Sequence, residues 1–301
     1  MKNKSLVHQA LEEVSGFAQS YTKFCNTLLV QQKTSNTISN YGRYFASISL
    51  HYHKLAEHLT DDEIELFLAT KLREGVSRSL FKHLICGLRS YFRSLEMEEK
   101  VLRMPKLKKT TSLPVVLSQE ECKRLFYSVS DNLKHSVLLS LIYSAGLRTR
   151  EVINLKIKDI DSDRLFIHIR ETKYNKDRYV PLSPHVLRGL RKYYQKYKPK
   201  EYLFNGRICG KPLHSRTIQG VMNSAIKKAR ISKKATPHTL RHSYATHLLE
   251  MGVNIRQLMD LLGHSDIKST MVYLHVINSD SRKAFSPFDC LYDKDHGKNN
   301  G

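Results

Sequence analysis

The sequence lacks the features that mark several common classes of protein. Its 301 residues contain no glycine-rich phosphate-binding loop, which disfavours nucleotide hydrolysis. Its five cysteines are scattered singly with no C-x-x-C pair. They therefore indicate neither a zinc site nor a disulfide framework, and a reducing cytoplasm fits best. We find no transmembrane run, no signal peptide and no lipidation motif, so we expect no membrane association.

Acidic residues are also scarce. Aspartate and glutamate number 28 against 50 lysines and arginines, which gives a formal net charge of +22 and a pI of about 9.8. Such an excess of one sign predicts a polyanionic partner, most simply nucleic acid. An acidic membrane surface is the competing explanation, but no anchoring segment supports it.

The apolar pattern divides the chain into two domains. Residues 1–14 are polar and are expected to fray. Residues 15–103 have helical periodicity, and we interpret them as a small DNA-binding domain. Residues 104–114 are basic and without period, as expected of a linker. A larger domain follows at 115–285, and residues 286–301 form a polar tail.

Several basic side chains are candidates for contacts with DNA. Some lie opposite the apolar stripe of a predicted helix in the first domain, some in the linker, and two at the end of a later helix. Because basic helix faces are often merely solvated, the net charge of the whole chain is what favours DNA contact. The candidates are Arg78, Lys82, Arg89, Lys106, Lys108, Lys109, Lys227 and Lys228.

The larger domain combines helices with a short sheet. Ser118 and Glu121 form a capping-box pattern that begins a helix. Residues 165–170 alternate apolar and polar side chains, which predicts a half-buried strand, and residues 178–182 pair back after a hairpin turn at 172–177. Arg148 falls at a turn between two helices, where a simple ion pair with Glu151 is an equally good interpretation. The fold class is therefore mainly α with a small antiparallel β-sheet.

The stretch 236–276 carries the chemistry. It predicts three short helices bearing His238, Arg241, His242, His264 and Tyr273. Each of these side chains has an ordinary explanation by itself, as a solvated helix face, a partner of a helix C-terminus or a core aromatic. Together they favour phosphodiester chemistry, because guanidinium and imidazolium groups complement a phosphoryl transition state and a tyrosine hydroxyl can attack phosphorus.

These residues resemble the tyrosine recombinase family, the phage integrase type with Xer-like and integron-like members. The motifs are GLRTRE, TKYNKDRYVPL, HTLRHSYATHLLE and LLGH, followed by Tyr273 nine residues after His264. The resemblance covers nearly the whole chain and is strongest from 117 to 276. It implies a helical, SAM-like core-binding domain followed by an α+β catalytic domain.

The resemblance also implies a site and a mechanism. Tyr273 would attack the scissile phosphodiester and form a 3′-phosphotyrosyl link. Arg148 and Arg241 would hold the non-bridging oxygens, and His264 would add a donor. Lys173 would protonate the departing 5′-oxygen. His238 would assist proton transfer at the tyrosine. The family uses no metal ion and no cofactor.

The expected partner is double-stranded DNA carrying an inverted-repeat recombination site. The resemblance implies a tetramer on two duplexes, formed from a monomer or weak dimer, with accessory proteins as an option, in a bacterial cytoplasm near the nucleoid. Two alternatives stay open, namely relaxation of the type IB topoisomerase kind and a non-catalytic architectural role.

Some positions depart from the family pattern. Tyr174 replaces the usual glycine after Lys173, and Thr149-Arg150 replaces small or apolar residues after Arg148. After Tyr273, the candidate apolar anchors for docking on a neighbouring protomer are Phe285, Phe288 and Leu291.

Overall fold

The computed structural model describes residues 5–105, 113–170, 177–206, 208, 210–264 and 266–277. By its internal contacts the chain separates into two compact units, 1–110 and 111–301. The boundary falls inside the segment 104–114 that the sequence analysis assigns to a linker. Among the described residues, no helix is long and apolar enough to cross a membrane.

The first unit is entirely helical where it is described, and a 3-10 turn at Ala56–His58 precedes its fourth helix. A capping box formed by Thr60 and Glu63 begins that helix. Aromatic rings fill the core, with Phe45 stacked on Tyr91 at 3.8 Å between centroids. The helices are α1 (Leu6–Glu13), α2 (Phe17–Val30), α3 (Ser35–Tyr52), α4 (Asp61–Arg73), α5 (Arg78–Ser94) and α6 (Glu98–Arg103).

For residues 5–14, which the structure describes, the expectation that the start of the chain frays is wrong. Ser5 caps α1 by accepting a hydrogen bond from the backbone of His8. Ala10 and Val14 are buried at 0% and 5% exposure, and α1 packs on α3. The compact unit therefore extends before residue 15, because a mostly polar helix still buries one narrow apolar face.

The second unit places eight described helices around a three-stranded antiparallel sheet of order β1-β2-β3. The strands are β1 (Ile160–Asp161), β2 (Phe166–Ile169) and β3 (Arg178–Pro181). The helices are α7 (Gln119–Tyr127), α8 (Leu133–Ser144), α9 (Thr149–Asn154), α10 (Pro184–Tyr197), α11 (Ser215–Lys228), α12 (Pro237–Glu250), α13 (Ile255–Leu262) and α14 (Lys268–Ile277).

The predicted alternation of the first hairpin strand is confirmed. Ile167 and Ile169 are buried, and Ile167 pairs with Val180 across the ladder. The mainly helical fold class with a small antiparallel sheet is also confirmed. Residues 171–176, which include all but the last residue of the hairpin turn predicted at 172–177, lie outside the described residues.

The last three helices follow local signals in the sequence. Pro237 opens α12, and Asn254 caps α13 through a hydrogen bond from the backbone of Arg256. Gly263 ends α13 with φ near 62°, a conformation that glycine adopts at little cost. These helices bury Tyr244, Leu258, Leu262 and Tyr273 in one apolar cluster, so α14 is held against α12.

Candidate active site

Arg148 lies at the N-terminus of α9 and forms the ion pair that sequence reasoning held open. Its guanidinium donates to Glu151 Oε1 at 2.8 Å, and its backbone N–H donates to Oε2 of the same carboxylate at 2.7 Å. A further hydrogen bond runs from the guanidinium to the carbonyl oxygen of Gly263 at 3.0 Å. The side chain keeps 35% exposure. The ion pair therefore fixes Arg148 without burying it.

Glu151 is shared with a second arginine that the sequence analysis did not single out. Arg178, the first residue of β3, donates to both carboxylate oxygens at 2.9 Å and to the carbonyl oxygen of Leu261 at 2.9 Å. The side chains of Arg178 and Glu151 are only 9% and 8% exposed. Burial raises the pKa of Glu151, but the hydrogen bonds and charge of Arg178 outweigh it, and the net shift is downward. Glu151 is thus a carboxylate at neutral pH.

Arg241 is the most deeply buried charged group of the site, with 0% exposure. Its guanidinium donates to the carbonyl oxygens of Gly146 and Leu262, each at 2.6 Å, and lies 3.8 Å from Glu151. Burial, with the nearby charge of Arg148, lowers its pKa to about 10, so Arg241 stays charged at neutral pH. Three guanidiniums and one carboxylate leave two net positive charges here.

Gly146 supports Arg241 in a conformation that other residues resist. Its φ is +59°, and a Cβ at this position would collide with the ring of Tyr244. We expect Gly146→Ala to lower the free energy of unfolding by roughly 1–3 kcal/mol through strain and overpacking. Thermal denaturation measures the loss. As a control, Gly220→Ala in α11 places its Cβ in open space, and the better helix propensity of alanine is expected to leave stability equal or higher.

His264 lies just after α13 and is held at both ring nitrogens. Nε2 is 3.1 Å from the guanidinium of Arg241, and Nδ1 is 2.8 Å from the hydroxyl of Thr270. Because a guanidinium only donates, Nε2 is the acceptor and Nδ1 carries the proton. Burial, followed by the charge of Arg241, lowers the pKa of His264 to about 4. His264 is therefore neutral in the free protein.

Tyr273 points into the same region from α14 and is 2% exposed. Its hydroxyl lies 3.0 Å from Nδ1 of His242. The ring of His242 in turn meets that of His238 edge-on, with centroids 4.4 Å apart. Burial raises the pKa of Tyr273, although Arg241 and Arg148 act in the opposite direction. The phenol is therefore protonated at neutral pH.

His238 occupies the exposed side of α12. Loss of hydration lowers its pKa, and the charges of Arg241 and Arg148 lower it further. The ring contact of His238 with His242, which is hydrogen-bonded to Tyr273, places His238 at the same site. The structure thus brings together five of the six predicted catalytic residues, while Lys173 lies outside the described residues.

His242 and Arg178 are two polar neighbours of the site to which the sequence analysis assigned no role. His242 was named there only as one of five polar groups, because its contact with Tyr273 depends on how α12 packs against α14. Arg178 occurs in the motif TKYNKDRYVPL, where it reads as an ordinary strand residue. Within the described residues, no cluster of three or more histidine, cysteine, aspartate or glutamate side chains could hold a metal ion.

The candidate DNA contacts have varied surroundings. Arg78 and Lys82 are exposed on α5, and Lys227 is exposed near the end of α11. Arg89 donates instead to the carbonyl oxygens of Met104 and Pro105, at 3.0 and 3.1 Å, and so holds the start of the predicted linker. Lys228 is exposed but lies 3.5 Å from Asp131. The remaining three, Lys106, Lys108 and Lys109, fall outside the described residues.

Comparison with known proteins gives concordant matches. The phage integrase family matches residues 115–279. The putative integrase/recombinase y4qK of Sinorhizobium fredii is 34% identical over 95% of this chain and 93% of its own length. The tyrosine recombinase XerA of Pyrococcus horikoshii is 35% identical over 87% of this chain and 90% of its own length.

A solved structure shares the fold. The XerH site-specific recombinase, bound to a palindromic difH substrate in a post-cleavage complex, superposes with a TM-score of 0.68. The match covers 96% of this chain and 90% of that one, at 20% sequence identity. At that identity the similarity shows the fold alone.

The fold and the site together define a tyrosine-type enzyme that breaks and rejoins DNA strands. The chain belongs to the phage integrase family. Its relatives are recombinases and integrases, which favours strand exchange over the topoisomerase-like and purely architectural alternatives.

Proposed function

We propose that the protein exchanges DNA strands at specific sites through a 3′-phosphotyrosyl intermediate on Tyr273. The observation that carries this proposal is the grouping of Tyr273 with two arginines and three imidazoles in one region of the second unit. Positive charge held in a dry site stabilises a phosphoryl transition state more strongly than the same charge in water.

The two arginines divide the work of binding the phosphate. Arg148 keeps its side chain partly exposed at the N-terminus of α9, where it can donate to a non-bridging oxygen. Arg241 is fully buried and fixed by two carbonyl groups, and it adds a charge that cannot move away. A charge fixed before the reaction costs no reorganisation during it.

His264 supplies a donor only after the phosphate binds. In the free protein its Nε2 accepts a hydrogen bond from Arg241. An anionic phosphate beside it would raise its pKa, because a nearby negative charge favours the imidazolium. The imidazolium donates from both nitrogens and can then bind a non-bridging oxygen.

Proton transfer completes the reaction. Lys173 would protonate the 5′-oxygen, since an alkoxide is a poor leaving group, and a positioned acid contributes ~10²–10⁴ in rate, or about 3–5 kcal/mol of barrier. His238 would assist proton transfer at the tyrosine. The phosphotyrosyl bond retains the energy of the phosphodiester, so rejoining needs no ATP. Recombination follows when the attacking 5′-hydroxyl belongs to a partner duplex.

The proposed oligomeric state rests on the symmetry of the DNA site. XerH is bound to a palindromic site, and a palindrome mirrors a two-fold arrangement of protein subunits. For this chain we propose an inverted-repeat site in double-stranded DNA, a tetramer on two duplexes, and a monomer or weak dimer without DNA. The basic helical first unit would grip the same duplex, in the cytoplasm near the nucleoid, with accessory proteins where the site requires them.

Covalent trapping tests the proposal. First, a duplex that binds the purified protein is selected from a random-sequence library. A panel of substrates is then made from this duplex, each carrying a single nick placed one nucleotide further along. Cleavage next to the nick releases a short strand, so the enzyme cannot reseal and remains on the DNA. We expect a protein–DNA adduct for one nick position, with the modified peptide containing Tyr273. Absence of any adduct across the panel would refute the proposal.

A further inference from the structure

His242 is the described side chain that touches the reactive oxygen. Its Nδ1 lies 3.0 Å from the hydroxyl of Tyr273, and the two ring centroids are 5.5 Å apart. In the tautomer protonated at Nε2, Nδ1 accepts the phenolic hydrogen. This distance lies within the reach required of a general base, even before substrate arrives.

The same helix locates His242 between the tyrosine and the solvent. Its ring meets that of His238 at an interplanar angle of 69° and a centroid distance of 4.4 Å. His238 is exposed, whereas His242 is half-buried and Tyr273 fully buried. The order from the interior outward is therefore phenol, His242 and His238. Any proton that leaves the phenol along its existing hydrogen bond reaches His242 first.

We propose that His242 is a catalytic residue that accepts the phenolic proton of Tyr273 during attack on the phosphodiester. The inference rests on the proposed function and adds a residue to its site. In this step the Tyr273 oxygen–phosphorus bond forms while the bond from phosphorus to the 5′-oxygen breaks. The phenolic proton passes to Nδ1 of His242, and the departing 5′-oxygen receives a proton from the general acid, for which we propose Lys173.

Electrostatics explain why the proton moves only on DNA. Burial, followed by the charges of His238 and Arg241, lowers the pKa of His242 to about 4. Burial raises the pKa of Tyr273. In the free protein the proton therefore stays on the phenol. A bound phosphate opposes the charge of Arg241 and stabilises the imidazolium that forms on His242, and His238 then assists by contact with that ring.

The chain offers a matched control on the same helix. Nδ1 of His247 lies 2.8 Å from the hydroxyl of Tyr143, so it repeats the histidine–tyrosine hydrogen bond of His242. His247 is 4% exposed and belongs to the part of α12 that packs on α8. A change at His247 reproduces the loss of such a hydrogen bond without touching the nucleophile.

The experiment compares His242→Asn and His242→Gln with His247→Asn in the single-turnover trapping assay. Asparagine and glutamine can accept a hydrogen bond but cannot take up a proton, so both His242 variants are expected to form adducts about 10²–10⁴ times more slowly than the wild type. His247→Asn is expected to react at the wild-type rate. Circular dichroism and binding of the unnicked duplex check that each variant is folded and competent.

A second substrate identifies the side of the reaction on which His242 acts. When sulfur replaces the bridging 5′-oxygen at the scissile bond, the leaving thiolate needs no acid. Lys173→Ala is expected to recover its rate on this substrate, whereas the His242 variants should stay slow. Recovery of the His242 variants, or a wild-type rate for either on the ordinary substrate, would overturn the inference alone. Failure of the wild type to form any adduct would refute the proposed function as well.

Discussion

Replacing Tyr273 with phenylalanine is expected to abolish covalent attachment to DNA and leave the fold intact. The phenyl ring keeps its packing in the cluster with Tyr244, Leu258 and Leu262. The variant loses one hydrogen bond, to His242, which contributes about 1 kcal/mol. It also loses the oxygen that attacks phosphorus, and removal of a covalent nucleophile costs on the order of 10⁶-fold in rate. Adducts should therefore fall below detection.

A neighbouring tyrosine provides the control. Tyr244 is 8% exposed in the same cluster and comes from α12. Tyr244→Phe makes the same chemical change without removing the proposed nucleophile, so adduct formation should persist. Gel-shift titration is expected to give matching affinities for the wild type and Tyr273→Phe. Adducts formed by Tyr273→Phe would remove this residue from its role.

The second large effect is expected for Arg178→Met. Methionine fills much of the same volume but leaves the carboxylate of Glu151 buried at 8% exposure without its bidentate partner. Breaking a buried ion pair from one side costs about 3–5 kcal/mol. For a unit of this size the melting temperature should fall on the order of 10 °C. Strand cleavage should fall too, because Glu151 also holds Arg148.

An exposed pair shows what an ordinary ion pair contributes. Lys123 and Glu120 are 72% and 75% exposed and lie 2.7 Å apart. Lys123→Met is expected to leave the melting temperature nearly unchanged, since such pairs are solvated and screened. Equal melting temperatures for Arg178→Met and the wild type would mean that Glu151 does not need its partner.

Acid should reduce the difference between Arg178→Met and the wild type. The pKa of Glu151 lies below its ordinary value of 4.5 in the folded protein. A lowered carboxylate pKa stabilises the fold above the unfolded pKa, and the contribution is lost as the pH falls through the folded pKa. The gap in melting temperature is therefore expected to be full at neutral pH and to narrow below about pH 4.5.

Local signals account for what the sequence predicted well. Ser118 and Glu121 interact within one helical turn, and the structure begins α7 at this capping box. The first helix escaped prediction because Ala10 is buried only once α3 is folded beside it. The helix has too few apolar residues to produce a recognisable helical periodicity in the sequence.

The sequence analysis named five residues that the structure brings together, but it did not predict most of the contacts that join them. Arg148 and Glu151 are three residues apart, so their ion pair was foreseeable. The partner that completes it, Arg178, is 27 residues beyond Glu151 and meets it only in the folded chain, where Arg178 also bonds to Leu261 of α13. The same holds for His242, which contacts Tyr273 where α12 packs against α14, although the two residues are 31 positions apart in the sequence. Contacts between residues so far apart in the sequence depend on how the helices and strands pack, and the apolar periodicity of the sequence does not reveal that packing.

One carboxylate serving three arginines constrains how this site can change during evolution. A neutral residue at position 151 would leave Arg178 and Arg241 facing each other in a dry interior without a counter-charge. Loss of Arg178 alone would leave the buried carboxylate without its bidentate partner. Either single substitution destabilises the fold. We therefore expect positions 151 and 178 to stay unchanged or to be substituted together in descendants of this chain.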